Sequence, residues 1–110
     1  MNHTRKQAAA AYRERKRRAG IVAIRSRRTG ETWVSRAVDL TSIANRIAFM
    51  CDHGAQPLGG LRDAWRAEGA EGFVVETLET IDDDVPRFAR ARVINDSYRA
   101  WCAMLGATPI

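Results

Sequence analysis

The chain has 110 residues, 45% of them apolar and 28% charged, which fits one globular domain with a modest core and excludes a disordered polymer. Arg36, Arg46 and Arg62 interrupt every apolar stretch before it can span a bilayer, so no membrane role is expected. The net charge of +5 is unevenly held, with eleven Lys/Arg against Glu14 and Glu31 in residues 1–36 and seven Arg against eleven Asp/Glu in residues 37–110, an asymmetry that points to a polyanionic partner, nucleic acid first and an acidic membrane or protein surface second.

Thr4 and Gln7 have the spacing of a capping box, and the alanines that follow favour helix. The first 19 residues are therefore predicted as a basic N-terminal helix over about 5–18, ended by Gly20, with residues 20–110 as the domain proper. Residues 21–26 and 31–36 read as two strands around Arg27-Arg28-Thr29-Gly30, an antiparallel hairpin whose Gly30 supplies the positive φ. Asp39 or Thr41 is the expected cap of a helix running to about Asp52, with Leu40, Ile43, Ile47 and Met50 on one face. Pro57 is predicted to open a second helix carrying Leu58, Leu61, Ala64 and Trp65, which Gly69 closes. Residues 72–81 are dense in β-branched side chains and read as a third strand. Asp82-Asp83-Asp84 then precede a long helix with Pro86 in its first turn, a stripe of Val85, Phe88, Ile94, Tyr98, Trp101 and Leu105, and a stop at Gly106 and Pro109. The expected class is α+β: a three-stranded antiparallel sheet flanked by helices, with the basic helix as an addition.

Cys51 and Cys102 are the two cysteines, and the basic N-terminus carries no apolar run like that of a signal peptide. Reduced thiols and a cytoplasmic location are the expectation. Cys51, His53, Cys102 and His3 do not have the spacing of a zinc finger or knuckle.

Gly20-Ile21-Val22 and Trp33-Val34-Ser35 stand on the two predicted strands, fifteen positions from the first residue to the last. Further on come Leu61-x-x-x-Trp65-x-x-x-Gly69, a strand opening at Phe73, and Leu78-Glu79. In order and spacing these resemble the paired signature and following segments of the GIY-YIG endonuclease domain, over residues 20–81, as found in small bacterial members. The resemblance implies a domain that cleaves a DNA phosphodiester with Mg²⁺ or Mn²⁺. In such a site a tyrosine orients the attacking water, a helical arginine stabilises charge, and a glutamate on the last helix holds the metal.

The chain departs from that chemistry at each position that can be placed. Val22 and Trp33 stand where the two tyrosines are expected, and neither can accept a proton from water. Ser35 replaces the second motif's glycine. Ile43 falls where the helical arginine belongs, with Arg46 about one turn later as a substitute. The metal-holding glutamate falls near Arg92, and no glutamate occurs after Glu79. Asp96 is the weak stand-in for a metal ligand, while Asp82-Asp83-Asp84 read better as helix-capping residues than as a Mg²⁺ site. Groups that act as a unit lose activity together, so the resemblance implies a silent domain without a cofactor. Its nucleic-acid contacts, DNA favoured, would come from Arg13, Lys16, Arg17, Arg27, Arg28, Arg36 and Arg46. Trp33 reads as a cross-strand packing residue, with a base-stacking platform as the other reading. Two alternatives stay open. One is an active metal-dependent endonuclease using Asp96 and Arg46, and the other is a protein-interaction domain whose basic helix meets an acidic partner.

Overall fold

The computed structural model describes residues 18–110. The predicted basic helix, with Arg13, Lys16, Arg17 and His3, lies outside the described residues.

The hairpin forms as its sequence predicts. Strands β1 (Gly20–Ser26) and β2 (Thr32–Ala37) pair antiparallel, with Val22 opposite Ser35 and Ile24 opposite Trp33. The turn is closed by Ser26 N–H donating to the Glu31 carbonyl at 2.9 Å, so the connection spans residues 27–31, one longer than expected. Strand β3 (Phe73–Thr80) pairs antiparallel with the other side of β1, its register slipping between Ile21 and Val22. With a neighbour on each side and helices on both faces, β1 buries Ile21, Val22, Ala23 and Ile24 completely. That double cover explains why β1 reads as a continuous apolar run rather than an alternating one.

One correction concerns the sheet. A two-residue strand, β4 (Thr108–Pro109), pairs parallel with β2, giving the order β3-β1-β2-β4 and a mixed four-stranded sheet in place of the expected three antiparallel strands. Its outer position suits a proline, which has no N–H to donate. Ile110 N–H completes the attachment by donating to the Val34 carbonyl at 3.0 Å.

The three helices begin later than the apolar periodicity suggests. Helix α1 spans Ile43–His53, because Asp39 turns its carboxylate onto the Thr41 N–H (3.0 Å) and hydroxyl (2.6 Å) and closes a turn before the helix. Helix α2 is Leu61–Glu68, not a helix from Pro57: Leu58, Gly59 and Gly60 all take left-handed φ values of 51°, 59° and 89°. Helix α3 is Arg90–Leu105, and Arg87–Ala89 ahead of it form a 3₁₀ turn that leaves Phe88 91% exposed, outside the stripe assigned to it. The Asp82–Asp84 run caps no helix. Asp82 accepts the Asp84 N–H at 2.9 Å, and Asp83 pairs with Arg18 at 3.4 Å.

The α+β class therefore holds, with the sheet between two helical layers. Val22, Ile24, Trp33, Ala37 and Phe73 face α1 and α2, where Ile43, Ile47, Cys51, Leu61 and Trp65 complete the core. Trp65 stacks on Phe73 with ring centres 5.0 Å apart. The opposite face carries α3, which has no fully buried residue of its own. Polar ties hold it instead: the Glu79 carboxylate on β3 accepts the Ser97 hydroxyl at 3.0 Å and the Trp101 indole N–H at 2.9 Å. Among the described residues, no helix is long and apolar enough to cross a membrane.

Candidate nucleic-acid interface

Strand β4 covers only Trp33 and Val34, so the outer edge of β2 is bare from Ser35 to Ala37. A half-open groove of about 600 Å³ lies there, between the start of α1 and the middle of α3. Ile43 and Met50 of α1, Leu58, Ile94 of α3 and Ile110 give it an apolar lining, with Leu58 and Ile110 also packing on the core. Ser35, Ser42 and Asn95 add polar groups, and Arg36 and Arg46 bring two cations to the same opening.

Each cation has a distinct environment. The Arg36 guanidinium donates to the Asn95 side-chain carbonyl at 2.7 Å and lies 4.9 Å from the centre of the Tyr98 ring, so it is held in place by neutral groups. Tyr98 is itself fixed, its hydroxyl donating to the Ile110 carbonyl at 2.9 Å. Burial raises the Tyr98 phenol above its ordinary pKa, with Cys102 adding to the rise and Arg36 opposing it. The one tyrosine beside the groove is thus a hydrogen-bond donor held neutral, and its phenolate is disfavoured. Arg46 is exposed, one turn into α1. Among the described residues the ion pairs are Arg18–Asp83 and Arg25–Glu76, so neither groove arginine is neutralised by a carboxylate. The Asp39 carboxylate, which also borders the groove, is engaged by its own turn.

The motif positions divide into two groups. Ser35 and Ile43 border the groove, with the Ser35 hydroxyl donating to the Arg36 carbonyl at 2.9 Å and Ile43 rooted in the core. Val22 and Trp33 are fully buried packing residues. Trp33 offers no face for a base to stack on, and its indole N–H donates to the Gly59 carbonyl at 2.8 Å. On α3 the groove receives Ala91, Ile94 and Asn95, so Arg92 and Asp96, both exposed, lie off it. Arg27 and Arg28 are exposed at the hairpin tip, about 17 Å from Arg36 along β2 at roughly 3.4 Å per residue. Of the arginines expected to meet nucleic acid, the four described ones thus fall in two separate places, Arg27 and Arg28 at the hairpin tip and Arg36 and Arg46 at the groove.

Sequence reasoning missed Asn95, Ser42 and Ile110. Asn95 had a signal, since it follows Ile94 and precedes Tyr98 by three on the flank of the same stripe. Ile110 had none, because its place depends on the short parallel strand before it.

No three His, Cys, Asp or Glu side chains come together among the described residues. Cys51 is buried and its thiol pKa is raised by desolvation, with Asp52 adding and Arg62 opposing, which suits a packed side chain rather than a nucleophile. Compared with known protein families, with curated proteins and with solved structures, the chain matches none.

Proposed function

We propose that the chain is a catalytically silent, GIY-YIG-like domain that binds nucleic acid, DNA in the first place, through phosphate contacts. The observation that carries this reading is the placing of Arg36 and Arg46 at one groove, neither in an ion pair among the described residues. Two guanidiniums facing solvent across an open groove attract phosphate oxygens and offer them forked donors. The places of the motif tyrosines are occupied by the core side chains Val22 and Trp33. Binding of this type fixes position without reading sequence. The six Lys/Arg of residues 1–17 would strengthen it.

Equilibrium binding of DNA across salt, run beside incubation with supercoiled DNA in Mg²⁺ or Mn²⁺, tests the reading. Affinity should fall steeply with salt, and no nicked product should form. Arg36→Ala and Arg46→Ala should each reduce the slope of log K against log salt by about 1 and weaken all sequences alike. A flat salt dependence would sink the proposal. Nicking that disappears in Asp96→Ala and Arg46→Ala would favour the endonuclease. Co-purification of one acidic protein without nucleic acid would favour the interaction domain.

A further inference from the structure

We propose that the groove takes one unpaired nucleotide of a single strand, with its phosphate between Arg36 and Arg46 and its base against the apolar walls. The inference rests on the nucleic-acid reading above and adds to it which form of nucleic acid fits. Phosphate contact alone requires only cations. This opening has more: Ile43, Met50, Leu58, Ile94 and Ile110 line a space of about 600 Å³, within the ~300–1,000 Å³ of pockets that enclose small ligands. A flat, weakly hydrated base is the part of a nucleic acid that gains from such walls, and a duplex keeps its bases stacked and paired away from them. Arg36 is already oriented by Asn95 and by the Tyr98 ring, so little side-chain freedom remains to be lost when a phosphate arrives.

The bare edge of β2 invites a second occupant, an added protein strand, and its geometry weighs against one. The Val34 carbonyl accepts from Ile110, so by alternation the main chain of Arg36 is the next to face outward. Its carbonyl also accepts the Ser35 hydroxyl, and one residue's N–H and C=O fall short of the row of donors and acceptors that strand addition needs.

The test compares the affinity of the full chain for a labelled single strand, for the duplex of the same length, and for the same single strand without bases. Charge density alone ranks the duplex first, since counterion release is greater there. The expected result is the reverse: the single strand binds about tenfold more tightly than either the duplex or the abasic strand. Ala91 is exposed on α3 at the groove, so Ala91→Trp fills the space from a surface position and should bring the single strand down to the duplex's affinity. The abasic comparison needs no variant, so it stands whether or not A91W folds. A duplex bound as tightly as the single strand, or an abasic strand bound as tightly as the normal one, overturns the groove assignment while leaving nucleic-acid binding intact. No binding of any strand at low salt overturns both. Binding of an extended acidic peptide in place of all three strands, lost in A91W, reassigns the groove to a protein strand.

Discussion

Gly20 and Gly30 bracket the first half of the hairpin, yet they are glycines for unrelated reasons. A Cβ on Gly20 would lie 2.2 Å from the Glu79 carbonyl oxygen and 2.9 Å from the Leu40 side chain, and the first of these is backbone that cannot swing aside. At Gly30 nothing lies within 4 Å, and the demand is only for φ at 75°. Gly20→Ala should therefore cost about 3 kcal/mol or more, at the upper end of overpacking penalties. Gly30→Ala should cost about 1–2 kcal/mol for the left-handed backbone. Urea denaturation of both variants checks the difference, and equal losses would contradict the close approach. Both glycines are visible in the sequence, but only the turn glycine declares its reason there. The reason for Gly20 lies across the sheet at Glu79. Trp33 shows the same limit, because a motif tryptophan is legible while its partner, the Gly59 carbonyl 26 positions away, exists only through the left-handed run at Leu58–Gly60.

Elements were legible where periodicity and packing coincide, as in β1, β2, β3 and the bodies of the three helices. They failed at starts, because an apolar stripe continues through residues that are not helical. Leu58 keeps helical spacing with Leu61 and packs on the core from a left-handed backbone, and Phe88 keeps it with Ala91 and Ile94 while facing solvent. Of the three described α-helices, α3 is the least secured by burial, which throws weight onto Glu79. Its two carboxylate oxygens take the Ser97 hydroxyl and the Trp101 indole, half-buried hydrogen bonds to a charged acceptor. Bonds of that kind contribute about 1.5–3 kcal/mol each, and a partner left unpaired when one is removed adds its own cost. Glu79→Ala should accordingly lower stability by about 2–4 kcal/mol, discounted for partial solvent exposure. The loss should show first as faster amide hydrogen exchange across residues 90–105, with β1 amides affected less. Uniform acceleration through the sheet would mean that α3 and the sheet open only together. Because α3 supplies Asn95 to Arg36, the same variant also loosens one side of the groove.

At the scale of the whole molecule, charge and groove separate. Residues 1–17 hold six Lys/Arg against Glu14, while residues 18–110 hold twelve Arg against twelve Asp/Glu, so the described domain is neutral and the entire excess of +5 precedes it. Composition made the charge asymmetry legible, but no sum of charges distinguishes a patch that would supply attraction from one that would supply a fitted site. That distinction came only with the bare edge of β2 and the two arginines beside it, neither in an ion pair among the described residues. It gives two kinds of variant with different signatures. Arg13, Lys16 and Arg17 changed together to Gln remove three cations from the segment ahead of the domain. If each neutralises a phosphate, the slope of log K against log salt on duplex DNA should fall by about 3, at roughly 0.9 per phosphate. Affinity for single strand and duplex should drop together, leaving the ratio between them unchanged. Changes at the groove should do the opposite, altering that ratio through the fitted nucleotide with a slope change of about 1 per arginine. A triple variant that abolished the single-strand preference would place recognition in the leading segment and reduce the groove to a feature of packing. A triple variant with an unchanged slope would remove those three cations from the interface and leave attraction to Arg27, Arg28, Arg36 and Arg46 within a neutral domain, too few charges for steep salt dependence.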